Sequence, residues 1–470
     1  MSTDQPTRAS RSRKRRGRAF LGAFAVVVAA LAVVGLAGAA AGVAQGPRVT
    51  AVQVDPDAAA SASGSRVIVT TSQALAEVDP SQVTVSPAAP FTVDTSGRNV
   101  GVRFTLPLFD DTEYSVTFAD VQGVGGGPSS TFTETFRTPA AELFILQRTT
   151  SGDTIYRTDL TGAEAVPVFS DEHIEDFRAT SSHLVVSVRA DDQAKLTVTD
   201  LDGRGQRELV LPGDGYVTNL QSADRGELIG YTFSDADLDE TGGLESVLFT
   251  ASLKESEADA EPTQVAVTGA EPRVAEWRFV PDTDSILLLA FDGSLLLTGS
   301  SGQDATALGS AVAIEGIARG SSQAIVKRVD GMSVIDLADA SESPLVTPDV
   351  DLGLQGDITP MPGSGTVRIG APTDESGIPV GTTVAAVADD GGTDVLMELP
   401  ASDVALQTCV SPSGRYVAVL VAPDAVANPY DGYQLPLPGQ VESRVVEIAT
   451  GTEVVSLHGF DLSWCQVPPR

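Results

Sequence analysis

The 470-residue chain carries 30 basic and 63 acidic residues, a formal net charge of −33 at pH 7. A surface this acidic is repelled by phosphate backbones, which excludes nucleic acid as a partner class. With 42% apolar residues, and 45 glycines and 28 prolines scattered among Val, Thr, Leu and Ile, the composition is that of a globular, turn-rich, all-β chain and not of a disordered one.

Charge is concentrated at the start. Residues 1–18 hold Arg8, Arg11, Arg13, Lys14, Arg15, Arg16 and Arg18 against one acid, Asp4, which leaves 23 basic and 62 acidic residues in the remainder. From Ala19 to Ala44 no charge occurs over 26 residues, and about 20 helical residues cross a bilayer core. The expectation is a basic cytoplasmic tail over 1–18 and a transmembrane helix over 19–45. By the positive-inside rule this makes a single-pass protein of the cell membrane with its C-terminal part extracytoplasmic. A cleaved signal peptide is the alternative, because Gly42-Val43-Ala44 offers small residues at a cleavage position.

Residues 46–139 alternate apolar and polar side chains in short runs: "RVTAVQV", "SRVIVTT", "SQVTVSP", "FTVDTSGRNVGVRFTL", "TEYSVTFADVQ" and "STFTETFRT". This period of two marks strands with one buried face, and six or seven such strands make a β-sandwich. "SRVIVTTSQAL", "LPLFDDTEYSVTFADVQGVGG" and the closing "TFTETFRTP" resemble the bacterial Ig-like domain of surface-layer and other envelope proteins. That resemblance implies a non-catalytic spacer or adhesion module, here a rigid stalk.

Residues 140–470 repeat. A strand-turn-strand unit recurs seven times, from "DTIYRTDLTGAEAVPVF" through "KLTVTDLDGRGQRELVL" and "GMSVIDLADASESPLV" to "RVVEIATGTEVVSLHG". Between these lie six copies of a second unit, including "FRATSSHLVVSV", "FVPDTDSILLLAF" and "CVSPSGRYVAVLV". The missing copy is split between the ends: "FDLSWCQVP" aligns with the first half of the unit, and "ELFILQR" supplies its second strand. Four strands per repeat and one repeat built from both ends predict a seven-bladed β-propeller with velcro closure. The "SPSGRYVAV" phrase resembles TolB-like and WD-type propeller repeats. In this sequence Ser413 stands where that family has Asp, and the resemblance speaks to architecture and not to partner.

Aligning Pro412 with Pro468 puts Cys409 on Cys465, at one site on the innermost strands of neighbouring blades. A disulfide there would clip the sixth blade to the closing one; two buried thiols are the alternative. The same alignment brings Trp277 and Trp464 to one repeat position, either as a stacking surface for a ligand near the channel or as wedges between blades. "DADLDETGG" sets Asp235, Asp237 and Asp239 at alternate positions, as at the start of an oxygen-rich calcium loop, although Glu240 stands where an EF-hand needs Gly. Solvated charge is the other reading of this loop, and Ca²⁺ is the one cofactor in question.

Signals for catalysis are thin. The three histidines (His173, His183, His458) form no zinc motif, and neither a G-x-S-x-G elbow nor a phosphate-cradling loop is present. The expectation is a non-enzymatic, membrane-anchored scaffold of the cell envelope whose propeller takes an envelope protein or cell-wall polymer. A glycan-active or other hydrolytic propeller is the alternative.

Overall fold

The computed structural model describes residues 21–35, 45–190, 193–223, 227–238 and 242–469. The basic tail lies outside the described residues. The expected membrane-spanning helix does not hold. A helix occupies residues 21–35, every one of them exposed, and at about 1.5 Å per residue it falls short of the ~30 Å hydrocarbon core. No helix among the described residues is long and apolar enough to cross a membrane, so the single-pass membrane localisation is not supported. The rest of the apolar run lies outside the described residues.

The described chain forms two compact units. The first comprises residues up to Asp55 together with Arg66–Arg103 and Glu113–Arg137. Its strands are β1 (Val49–Gln53), β2 (Arg66–Thr71), β3 (Val83–Ser86), β4 (Phe91–Ser96), β5 (Asn99–Phe104), β6 (Glu113–Val121) and β7 (Ser130–Arg137). They make two antiparallel sheets, ordered β1-β2-β5-β4 and β3-β6-β7. Alternation gives each sheet one buried face: Val67 and Val69 of β2 and Val100 and Val102 of β5 on one, Tyr114, Val116 and Phe118 of β6 on the other.

The second unit holds Pro56–Ser65, Phe104–Thr112 and everything from Thr138 onward. Six four-stranded antiparallel sheets follow one another over 174–209, 215–264, 274–310, 313–344, 354–400 and 404–458, each with its strands in sequence order. We call these blades 1–6. A further sheet, built from Glu142–Gln147, Asp153–Asp159 and Ala165–Asp171, precedes them as the closing blade. Its vacant inner edge takes the C-terminal segment: Leu146 and Phe460 exchange both backbone hydrogen bonds, at 3.0 and 2.9 Å, and Ser463 donates to Phe144 O at 3.0 Å. Repeated four-stranded sheets with this order are consistent with a β-propeller.

Apolar residues at the interfaces close the ring. Val185 and Leu196 of blade 1 pack with Val217 and Ile229 of blade 2. Leu248 of blade 2 meets Trp277 and Ile286 of blade 3, and Leu287 and Leu308 of blade 3 meet Ile314 and Val326 of blade 4. Blades 5 and 6 share Val367, Val384, Val417 and Val419. Blade 6 joins the closing blade through Tyr416, Leu143 and Trp464, and the closing blade joins blade 1 through Phe144, Ile155, Phe177 and Val186. Blades 4 and 5 meet at Gly316, where a Cβ would lie 2.8 Å from Pro360 Cδ, so only glycine permits the approach.

Cys409 and Cys465 are joined by a disulfide across the seam between blade 6 and the C-terminal segment, 56 residues apart in sequence. Cross-linking a loop of that length stabilises the fold by about 3–4 kcal/mol on chain-entropy grounds. Cys465→Ser should lower the urea unfolding free energy by about that amount, and dithiothreitol should reproduce the loss in the wild type. An unmoved midpoint in both would show that the seam holds without the cross-link.

Candidate functional site

One register position on the innermost strands organises the centre. It is the residue before the last strand residue, held by Arg178, Gln221, Arg278, Gly316, Thr359 and Cys409 in blades 1–6, as the cross-strand pairing places them. Arg178 Nε donates to Leu220 O at 2.8 Å, Gln221 Nε2 to Trp277 O at 2.7 Å, Arg278 Nη2 to Ile314 O at 3.1 Å and Thr359 Oγ1 to Thr408 O at 3.0 Å. Each acceptor is a carbonyl on the innermost strand of the next blade. Gly316 makes its link by close contact and Cys409 by its disulfide.

Arg178 also grips the chain end. Its Nη1 lies 2.6 Å from Asp461 Oδ2 and 2.9 Å from Asp176 Oδ1, with the Arg178 and Asp461 side chains only 4% and 1% exposed. Burial pushes the Asp176 carboxyl well above the usual carboxylate range, against the lowering pull of Arg178; the charge of Asp461 and a hydrogen bond between the two carboxyls push the same way.

Little space remains in the centre. A cavity of about 70 Å³ is lined by Arg278, Glu315, Arg319, Gln407, Trp464 and Gln466. Small-molecule pockets run to roughly 300–1,000 Å³. The cavity has room for a few waters, and Gln407 Nε2 on its wall donates to Val467 O and Pro468 O at 3.0 and 3.1 Å.

The ends of the blades differ from each other. Because strands in each blade are antiparallel and sequential, connections from second to third strand and from one blade to the next emerge at one end, which we call the entry face. Connections from first to second and from third to fourth strand emerge at the other. Leu238, Phe291, Val312, Val329, Val346, Val350, Ile378, Val380, Val426 and Tyr430 are exposed on entry-face connections, with Leu354 and Val404 at the first positions of innermost strands on the same face. Among the described residues, no connection at the opposite end exposes a large apolar side chain. The described entry-face connections carry just two arginines, Arg148 and Arg273, and both are ion-paired, to Asp431 at 2.8 Å and to Glu271 and Glu245 at 2.6 and 3.1 Å.

The longest entry-face connection, residues 423–441 of blade 6, is firmly anchored. The Tyr433 ring lies 3.8 Å from the His173 ring and 3.7 Å from the Arg148 guanidinium, and its hydroxyl donates to Asp153 Oδ2 at 2.7 Å. Burial and that hydrogen bond raise the Tyr433 pKa. Gln434 N donates to Glu175 Oε2 at 3.0 Å, and Glu175 in turn faces His173 Nε2 at 2.8 Å. Within the loop, the Asn428 amide bonds Gln440 in both directions at 2.7 and 2.9 Å.

The residues singled out in the sequence are scattered. Trp277 is fully buried, edge-on to Phe279 at 5.1 Å, and offers no face to a ligand; Gly230, where a Cβ would lie 2.4 Å from the indole, makes room for it. Trp464, 9% exposed, stacks on Tyr416 at the rim of the central cavity. Asp235 accepts from Leu244 N at 2.6 Å, Asp237 is exposed on the next turn, and Asp239 lies outside the described residues. Among the described residues no group of three or more His, Cys, Asp or Glu is placed to hold a metal ion. Sequence reading missed Arg178, Asp176, Asp461 and the entry-face apolar residues.

No family model matches the chain, and no curated protein matches it. Among solved structures, it is similar to an oligogalacturonate lyase in complex with manganese, at 11% identity and a TM-score of 0.43, over 80% of this chain and 93% of that one. It is also similar to a putative TolB from Agrobacterium tumefaciens (12%, TM-score 0.34, 68% and 90%). A puromycin-hydrolyzing peptidase from Mycobacterium tuberculosis gives 13%, a TM-score of 0.39, and 79% and 61% coverage. Enzymes and a TolB-like protein thus stand side by side at this distance, and no function transfers from any of them.

The buried cluster has a definite pH signature. Asp176 has its folded value raised, so its contribution to stability is complete below the unfolded value of about 3.9 and is lost as pH rises toward the folded one. Asp176→Asn should therefore flatten the fall in unfolding free energy from pH 4 upward. Arg178→Leu, which strands two buried acids, should cost about 3–5 kcal/mol at pH 7. Identical pH slopes for wild type and Asp176→Asn would contradict the assignment.

Proposed function

We propose that this protein is a non-catalytic binding platform that receives a protein partner on the entry face of the propeller, with the first unit an Ig-like spacer module. The observation that carries the reading is the one-sided exposure of large apolar side chains, ten on the described entry-face connections against none on the described opposite connections. Single exposed apolar residues are ordinary; their segregation to one face is the mark of an interaction surface. The acidity of that face repels anionic polymers as it does nucleic acid, which favours a protein over a charged wall polymer.

A hydrolytic propeller would draw on the convergent pair Asp176 and Asp461. Carboxylates that cleave glycosides stand about 5 Å or more apart with substrate between them. These two share one guanidinium and are buried, which suits closure of the ring and supports the binding reading.

The test is affinity capture from crosslinked extract of the source cells with three versions of the chain: wild type, Val329→Asp/Ile378→Asp on the entry face, and Asp304→Arg/Asp339→Arg on the opposite connections. Recovery of the same protein by wild type and the opposite-face variant, and its loss with the entry-face variant, is the expected result. Equal recovery by all three would remove the entry face from the function.

A further inference from the structure

We infer that the blade 5–6 sector of the entry face docks a cationic amphipathic peptide segment of the partner. This inference rests on the platform reading above and names the chemistry of its occupant. Eight of the exposed apolar residues fall in this one sector: Val346, Val350 and Leu354 at the entry to blade 5, Ile378 and Val380 from blade 5, and Val404, Val426 and Tyr430 from blade 6. Val426 is 99% exposed and Tyr430 62%.

Their exposure is built in. The 423–441 loop is pinned at its far end by Tyr433 between His173 and Arg148, and at its near end by Ala425 N donating to Ser402 O at 2.8 Å and Asp424 N to Asp403 Oδ1 at 3.1 Å. Tyr430 is bridged to Pro438 across the loop. Leu437 of the same loop packs into the core while Val426 and Tyr430 point outward, so a partner meets these two already ordered and the entropic cost of docking is reduced.

Charge selects the occupant. Asp351, Asp374, Glu375, Asp403 and Asp424 lie on the same connections, and these contain no lysine or arginine. Three of these carboxylates are fixed by backbone donors: Asp351 accepts from Gly353 N at 2.9 Å, Asp374 from Ser376 N and Ile378 N at 2.8 and 3.0 Å, and Asp403 from Asp424 N. Apolar side chains ringed by fixed acids complement a segment that interleaves Lys or Arg with Leu or Ile, and they repel an acidic one.

Two fluorescein-labelled peptides of the same length and apolar spacing, one Leu/Lys and one Leu/Glu, provide the test by anisotropy with the full chain. We expect saturable binding of the Leu/Lys peptide alone, weakened at least about tenfold by Val426→Ser/Tyr430→Ser and several-fold by Asp374→Asn/Glu375→Gln. Glu255→Gln/Glu257→Gln, on an opposite-face connection, removes the same charge and should leave binding unchanged, with melting temperatures equal throughout. Equal weakening by both acid-removing variants would mean attraction to the bulk negative charge, and would overturn the inference. So would indifference to Val426 and Tyr430, or binding of neither peptide or of both. If binding of the peptide fails while capture of a protein still depends on the entry face, the cationic assignment falls and the platform stands.

Discussion

The ring depends on one repeated register position, the residue one place before the end of the innermost strand in blades 1–6, at which each blade meets the next. Carbonyls of innermost strands face a neighbour and not water, and a buried carbonyl without a donor costs about 1–3 kcal/mol. Arg178, Gln221, Arg278 and Thr359 each supply that donor, across sequence gaps of 42, 56, 36 and 49 residues. The requirement is one of reach and hydrogen-bonding capacity, so the position tolerates Arg, Gln and Thr alike. It also tolerates Gly where Pro360 closes in, and Cys where a covalent bond replaces the hydrogen bond.

Closure is most demanding at the seam, where strands from the two ends of the unit must meet. Bringing such distant segments together carries the largest loop-closure entropy in the ring. There the contact is reinforced three ways: the Leu146–Phe460 backbone pair, the Cys409–Cys465 disulfide, and Arg178 held between Asp176 and Asp461. Concentrating donors, charge and cross-link in the centre leaves a cavity of about 70 Å³. The room for variation in such a ring lies at its ends, where connections change without disturbing the interfaces between blades.

The repeat was legible because hairpins and turns are local: period-two alternation and Ser-Pro-Ser-Gly at 411–414 mark strands and their reversals without knowledge of the partners. The split repeat was legible too, since Pro412 and Pro468 align and carry Cys409 onto Cys465. Arg178 and Asp461 escaped notice because they lie 283 residues apart and their register position carries a different residue in each blade. Trp277 and Trp464 share an alignment column, yet Gly230 admits one indole wholly into the core while the other stays at a cavity rim, a difference set by a residue 47 positions from Trp277. The apolar run near the N-terminus misled for a simpler reason: hydropathy reports what a helix could cross, and the described helix covers 15 residues, with none among the described residues long and apolar enough to span a membrane. The entry face was within reach of the sequence, because sequential antiparallel strands sort connections into two ends by parity, and Val329, Ile378 and Val426 then fall together.

The proposed docking face and the seam are joined through one loop. The 423–441 connection springs from blade 6, presents Val426 and Tyr430 outward, and buries Tyr433 against Arg148 and Asp153 of the closing blade and His173 at the entrance to blade 1. The same 19 residues therefore span three blades on either side of the closure. Arg148 couples them further, donating to Glu175 O at 2.8 Å and to Leu435 O at 3.0 Å while paired with Asp431. Opening the seam would tear Tyr433 from its stack and release Val426 and Tyr430 from their fixed positions. By linkage, any occupant that prefers the docked loop must stabilise the closed ring by the same free energy with which closure favours its binding. Docking at this face, as proposed, and integrity of the propeller would then be two readings of one set of contacts.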